Sequence, residues 1–172
     1  MINNLFKSIV LFSIVACFII TFQQKVTAQS FLFVNNLKSL SKVSKAHNVR
    51  SDITNFAEKF LGIAYRSGGT TPAGFDCSGY VHFIFKQYGY DLAHSSRELA
   101  SFGTSVKKQD AAPGDLVIFA YNGIVHHVAI VYANHNGSID IIHSSTSRGV
   151  VIENIDASAY WSKRFHSIRR VI

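Results

Sequence analysis

The chain has 172 residues, enough for one compact domain plus shorter additional segments. Hydrophobic residues make up 48% of it and aromatic residues 13%, which excludes an intrinsically disordered chain. Its 17 basic and 10 acidic residues give a formal net charge of +7, and its two cysteines are too few for a disulfide framework or an all-cysteine zinc site.

The first 28 residues have the pattern of a secretory signal peptide. A short segment ending in Lys7 precedes an almost wholly apolar run at 8–22, and small or aliphatic residues lead up to Ala28, where a signal peptidase would cut. The run is shorter than the ~20 residues that a membrane-spanning helix needs, so we expect cleavage after Ala28 rather than a retained anchor. The alternative is lipidation of Cys17, whose preceding residues resemble a lipobox. Both routes predict export to the cell envelope, in the periplasm or at the cell surface, and membrane association only through these segments.

Residues 29–51 are predicted to be a basic linker. They contain Lys38, Lys42, Lys45 and Arg50 and no acidic residue. Without residues 1–28 the chain keeps 15 basic and 10 acidic residues, a net charge of +5. Such a segment is typical of a solvated tether, and it would also be attracted to an anionic polymer of the envelope. No nucleic-acid-binding motif is present, so a nucleic-acid partner is not expected.

Residues 52–172 are predicted to form the main domain, which opens with helices. Apolar residues at helical spacing predict a first helix over 52–61, with Asp52 as its N-cap. After a Gly-rich loop, a second helix begins at Cys77 and ends at Gly89. A capping box of Ser95 and Glu98 opens a short third helix.

From Pro113 onward the pattern changes to strands separated by Asn-Gly and other turn signals. Five strands are predicted, at 115–120, 125–132, 138–145, 149–155 and 167–172, with a short helical turn around Trp161. Helices followed by a meander of strands indicate an α+β domain, with N-terminal helices packed on an antiparallel sheet of about five strands.

Cys77 is the candidate nucleophile. It is the one cysteine left after signal removal, at the predicted N-terminus of a helix, where free N–H groups and the helix dipole favour a thiolate. Gly74 and Gly79 on either side would let a substrate backbone approach closely. The alternative is an inert core cysteine, since free cysteine is among the most buried residue types.

Histidines on two predicted strands could supply a base for this thiol. Side chains alternate along a strand, so His126 and His127 point to opposite faces and would not serve one site. His143 lies at a matching place on the following strand, beside His127. A thiol at a helix tip, an imidazole and a second ring that orients it match the arrangement of thiol acyl transfer.

Four segments, YRSGGTTPAGFDCSGYVHFIF, APGDLVIF, HHVAIV and IIHSSTSRGVVIE, resemble the NlpC/P60 family of cell-wall cysteine peptidases. The resemblance runs from about Asp52 to Ile172, and the ending YWSKRFHSIRRVI is most similar to the single-domain, Spr-type murein endopeptidases. It implies a papain-like fold and hydrolysis of peptide bonds in peptidoglycan stem peptides or cross-links. It also implies a catalytic triad in which Cys77 is the nucleophile, His127 the base and His143 the orienting residue, working through an acyl-enzyme without a cofactor or metal.

The resemblance implies three further site residues. Tyr65 falls on the family's tyrosine near the nucleophile, placed to hold the oxyanion or the substrate. Asp76 and Ser78 fall on positions that line the substrate groove, although helix capping explains them equally well. Two departures, Ser67 after Tyr-Arg and Ala93-His94 before the third helix, put the substrate preference in doubt.

Several alternatives stay open at this stage. They are a non-catalytic wall-binding module, another thiol acyl transferase such as an amidase or transglutaminase, and a zinc site built from Cys77, His127 and His143. The sequence does not decide whether a peptidase would cut the bond between diaminopimelate and D-Ala or that between D-Glu and diaminopimelate, and the Spr-like ending favours the first. Peptidoglycan is the expected partner and a monomer the expected state.

Overall fold

The structure, a computed structural model, describes residue 23 and residues 31–44 and 49–172. The predicted signal cleavage site and Cys17 lie outside the described residues. The chain divides into two compact units, Met1–Lys45 and Ala46–Ile172. Within the described parts, no helix is both long and apolar enough to cross a bilayer.

In the first unit, residues 31–44 are helical and exposed along their whole length. The segment 29–51, predicted to be a linker, is therefore helical over residues 31–44. In the second unit, helix α1 covers residues 49–58, so it includes residues that the sequence analysis assigned to the linker. Asp52 lies inside this helix, and the prediction that it is the N-cap is wrong.

Three further helices follow, each with a side-chain cap at its N-terminus. Helix α2 runs over Cys77–Lys86, α3 over Ser96–Leu99 and α4 over Ala159–Ser162. The Ser95 hydroxyl accepts the Glu98 N–H, as the capping-box pattern predicts. A short 3-10 helix occupies Lys108–Asp110.

Eight strands lie within residues 49–172. The Gly-rich loop folds into a small hairpin of β1 (Thr70–Thr71) and β2 (Gly74–Phe75), which the sequence analysis treated as irregular. The other strands are β3 (Thr104–Val106), β4 (Leu116–Tyr121), β5 (Ile124–His135), β6 (Ser138–Ser145), β7 (Gly149–Asn154) and β8 (Phe165–Arg170).

Strands β3 to β8 form one antiparallel sheet in the order β3-β8-β4-β5-β6-β7. The predicted antiparallel sheet is confirmed. It has six strands where about five were predicted, because β3 adds a strand at one edge. The consecutive strands β4 to β7 are neighbours in the sheet. Strand β8 pairs with the other edge of β4 and lies between β4 and β3.

Alternation along the central strands gives the sheet two buried faces. On β4, Leu116 and Ile118 pack in a cluster with helices α1 and α2, whereas Val117 and Phe119 pack in a second cluster that includes Trp161 of α4. The candidate site lies where the N-terminus of α2 meets β5 and β6.

Candidate active site

Cys77 is the first residue of α2, and Asp76 is the N-cap of that helix. One Asp76 carboxylate oxygen accepts the N–H of Gly79 at 2.6 Å, and the other accepts that of Gly68 at 3.0 Å. A Cβ on Gly79 would lie 2.0 Å from the carbonyl oxygen of Gly69. Gly79 is therefore needed for the close packing of α2 on the Gly-rich loop, and substrate access at this glycine stays a prediction.

The Cys77 thiol lies beside β5 and is largely buried, with 9% of the residue exposed. Burial raises the pKa of Cys77 and the Asp76 carboxylate raises it further, while bonds from the backbone N–H groups of Val128, Ser78 and Cys77 itself lower it in part. The expected lowering by the helix terminus is outweighed by this burial. The resting side chain at neutral pH is thus a protonated thiol.

His127 and His143 form the hydrogen-bonded pair that the strand pattern predicts. His127 Nε2 lies 2.8 Å from His143 Nδ1, and the rings are nearly perpendicular. Ile130 of β5 is paired with Ile142 of β6 after a register shift between Val131 and Ala133, and this register puts His143 on the same face of the sheet as His127. His143 is fully buried, which shields this bond from water.

The environment of His127 favours the neutral ring. Burial lowers its pKa well below the ordinary value, and the neighbouring His143 and His126 add to this effect, whereas the Glu153 carboxylate acts in the opposite direction. Because His143 engages Nε2, a proton exchanged between His127 and another group of the cavity would move through Nδ1.

His126 also lines the site, contrary to the expectation from simple alternation. Phe119 is paired with His127 but Ala120 is paired with Val125, so His126 is the extra residue of a β-bulge. A bulge changes the direction of the side chains next to it, and bulges are frequent beside active sites. The pattern of residues carries no mark of the bulge, so the sequence does not predict this position of His126.

A cavity of about 390 Å³ opens above the candidate nucleophile and base. Cys77, His127 and Tyr65 share its wall. Burial raises the pKa of the Tyr65 hydroxyl, and Cys77 and Asp76 contribute to the rise, so at neutral pH this group is a proton donor facing the site. The rest of the wall comes largely from the β6–β7 turn and from α4, with Ser145, Thr146, Ser147, Arg148, Ser158 and Tyr160.

The other two predicted site residues serve the fold around Cys77. Among the described residues, neither Asp76 nor Ser78 lines the cavity. The Ser78 hydroxyl donates to the Asp76 carboxylate at 3.2 Å, and His94 Nε2 lies 2.9 Å from the same carboxylate. The capping explanation therefore accounts for their contacts, and a substrate contact by either stays a prediction.

Two residues in contact with the histidine pair were not singled out from the sequence. Glu153 Oε1 lies 2.6 Å from His143 Nε2, and the Trp161 ring stacks on His127 with centroids 4.8 Å apart. Glu153 could have been found, because a hairpin register that pairs His143 with Val151 places Glu153 on the same face of the sheet. Trp161 could not, since its approach depends on the path of the chain between β7 and β8.

The described residues contain no group of three or more His, Cys, Asp or Glu side chains arranged to hold a metal ion. The zinc alternative from the sequence analysis therefore lacks a ligand set in this part of the chain.

A family model described as the NlpC/P60 family matches residues 62–170. The chain belongs to the NlpC/P60 family. The match includes Cys77, His127 and His143, and it confirms the resemblance and the fold class inferred from the sequence.

Relatives within the NlpC/P60 family have names that describe an activity. Murein DD-endopeptidase MepS/Murein LD-carboxypeptidase of Escherichia coli (strain K12) is 37% identical over 126 residues, which cover 73% of this chain and 64% of the relative. Probable endopeptidase NlpC of the same strain is 34% identical over 136 residues, which cover 76% and 84%. The chain thus spans just under two thirds of the length of the first of these.

A solved structure of an NlpC/P60 family protein from Bacillus cereus ATCC 10987 aligns with a TM-score of 0.65 at 33% identity. The alignment covers 71% of this chain and 40% of that one. The chain therefore has the NlpC/P60 fold.

Proposed function

We propose that this protein is a cysteine peptidase that hydrolyses amide bonds in the stem peptides or cross-links of peptidoglycan. The observation that carries the proposal is that Cys77 and His127 share one cavity wall while His127 is bonded to the buried His143. The endopeptidase activity in the names of the two E. coli relatives supports the substrate class. The name of the first also favours the cross-link bond over the bond within one stem.

The first half-reaction forms a thioester. As the Cys77 sulfur bonds to the amide carbonyl carbon, His127 Nδ1 takes the thiol proton, and negative charge develops on the carbonyl oxygen. The backbone N–H of Cys77 and the Tyr65 hydroxyl are the donors proposed for this oxygen. The carbon–nitrogen bond then breaks, and His127 returns the proton to the leaving amine.

The second half-reaction releases the acyl group. His127 takes a proton from a water molecule as the water oxygen attacks the thioester carbon, and the carbon–sulfur bond breaks. The proton returns to the Cys77 sulfur, which restores the thiol. Because burial disfavours both the thiolate and the imidazolium, the proton moves during the attack and not in the resting enzyme.

The location proposed for this activity is the cell envelope. The N-terminal pattern of a secretory signal and the net charge of +5 on the remaining chain support it, since peptidoglycan is reached only after export. Expression of the full chain followed by N-terminal sequencing of the envelope form tests whether cleavage follows Ala28, and detection of a lipid on Cys17 would contradict that prediction.

The test of the activity is digestion of purified sacculi with the full chain, with the products sized by mass spectrometry. We expect soluble fragments from the wild type and none from Cys77→Ser, which keeps the size of the side chain and removes the thiol. His135→Gln, at an exposed histidine on the far end of β5, is the matched control and should cleave normally. Binding of sacculi without cleavage would favour a wall-binding module, and transfer to an added amine without hydrolysis would favour another acyl transferase.

A further inference from the structure

A carboxylate lies directly behind the Cys-His-His set. Glu153 on β7 accepts from His143 through Oε1, at 2.6 Å from His143 Nε2. The same Oε1 accepts the indole N–H of Trp161 at 2.8 Å, and Oε2 accepts from the Arg148 guanidinium. The position of this carboxylate is thus set from three directions, which is more than a surface ion pair would need.

The chemistry of this chain of bonds determines where the protons lie. An ionised carboxylate has no proton to donate, so the bond between Glu153 and His143 requires a hydrogen on His143 Nε2. A neutral His143 then has its lone pair on Nδ1 and can only accept there. The bond of 2.8 Å to His127 therefore requires a hydrogen on His127 Nε2 and leaves the lone pair of His127 on Nδ1.

We propose that Glu153 is a positioning residue of this active site, which acts through His143 to hold His127 in the tautomer whose Nδ1 can take the proton of Cys77. Its importance for catalysis rests on the proposed function. The bonds from His143, Arg148 and Trp161 lower the pKa of Glu153 to about 2, so the carboxylate stays ionised wherever the enzyme could work.

The same carboxylate stabilises the charge that His127 acquires during the reaction. The groups that face His127 are Cys77 from α2, His126 from its own strand, His143 from β6 and Glu153 from β7, with the uncharged Trp161 stacked on the ring. Of these, Glu153 is the one that carries a negative charge in the resting enzyme and raises the pKa of His127. Loss of that charge would leave His127 a weaker base.

The first experiment compares Glu153→Gln with the wild type and with Asp140→Asn, using cross-linked peptide dimers isolated from peptidoglycan. Gln has the shape of Glu but can offer either an oxygen or an NH₂ group to His143, so the tautomer is no longer selected. Asp140 is a matched control. It lies on β6, as His143 does, but outside the cavity, and its carboxylate pairs with His135 at 3.2 Å.

We expect Glu153→Gln to lower kcat by about 10- to 100-fold, the scale typical of removing the partner that orients a functional histidine. KM separates a positioning role from a substrate contact, because Glu153 also lies on the cavity wall, and a positioning role keeps KM within about twofold. The acidic limb of the kcat/KM profile should move to lower pH, because the pKa of His127 falls when the carboxylate charge is removed. Unchanged kcat in a folded Glu153→Gln protein would overturn the proposal, and so would an unchanged acidic limb.

The second experiment reads the tautomers directly, by nitrogen-15 NMR of the histidine rings in the full chain. Resonances of His127 and His143 are assigned by comparison with His127→Gln and His143→Gln. In the wild type we expect both rings to be neutral with hydrogen on Nε2, and in Glu153→Gln a loss of that preference. A wild-type His143 protonated at both nitrogens would overturn the proposal.

The two experiments separate this inference from the proposed function. A wild type that cleaves no peptidoglycan substrate contradicts the proposed function, while the NMR result still decides whether Glu153 selects the tautomer. Equal cleavage by the wild type and by Glu153→Gln would support the proposed function and overturn the inference.

Discussion

The hydroxyl of Ser144 donates a hydrogen bond of 2.8 Å to the carbonyl oxygen of Phe75. Ser144 follows His143 on β6, and Phe75 ends β2 two residues before Cys77. Both residues are fully buried, so water cannot replace the bond. This contact ties the strand that carries the orienting histidine to the loop that carries the nucleophile.

Ser144→Ala should therefore affect stability and activity together. The Phe75 carbonyl also accepts the Arg66 N–H at 3.0 Å, so the variant removes one of two bonds to this oxygen. We expect the free energy of unfolding to fall by about 0.5–1.5 kcal/mol in urea denaturation. Ser101→Ala is the control, because its hydroxyl bonds to the Glu98 carbonyl at an exposed site and its loss should cost less than about 0.5 kcal/mol. Equal losses in the two variants would contradict the role of burial.

The pH dependence of Cys77 alkylation tests the resting state of the thiol. Burial raises the pKa of Cys77 above the ordinary value, so the rate of reaction with iodoacetamide should rise with pH and level off at a higher pH than for a free cysteine. An activated thiolate would instead react at a constant rate down to mildly acidic pH. That second result would contradict the burial effect and restore the expectation drawn from the helix terminus.

Asp76→Asn separates the charge of the N-cap from its hydrogen bonds. Asn caps helices as well as Asp does, so α2 should keep its start. Removing the carboxylate charge lowers the pKa of Cys77, and we expect alkylation at pH 8 to be several-fold faster than in the wild type. Asp52→Asn, at an exposed position on α1, should leave the rate unchanged.

Gly79→Ala tests the close contact between α2 and the Gly-rich loop. Its Cβ would meet the Gly69 carbonyl oxygen at 2.0 Å, and backbone on both sides would have to move. We expect a loss of about 1–3 kcal/mol in the free energy of unfolding and a lower rate of Cys77 alkylation as the start of α2 shifts. Lys86→Ala, exposed in the last turn of the same helix, should change neither measurement.

The fully buried Asp115 should be one of the most sensitive positions for stability. Its carboxylate bonds to Arg50 of α1 at 2.8 Å and to Arg170 of β8 at 2.7 Å, which joins the first helix to the last strand. Asp115→Ala leaves the two guanidinium groups without this partner, and we expect a loss of about 3–5 kcal/mol. His135→Ala, which breaks the pair with Asp140 from its exposed side, should cost less than about 1 kcal/mol in the same urea series.

The central strands and the family could be predicted from the sequence. Turn signals and alternation are local, and β6 occupies the predicted residues 138–145 without change. The motif around Cys77, together with His127 and His143, was enough to indicate the NlpC/P60 family, which the family match confirms. Local patterns also placed His127 and His143 on neighbouring strands, but the register shift between Val131 and Ala133 decides that the two rings share a face of the sheet.

Tertiary structure decided the features that depend on distant or irregular backbone. The bulge that turns His126 toward the cavity arises from pairing with β4, and the stacking of Trp161 on His127 arises from the return of the chain toward β8. The state of Cys77 was decided in the same way. The sequence indicates a helix terminus that would favour a thiolate, but only the packed structure shows the thiol buried beside β5, where desolvation outweighs the helix dipole.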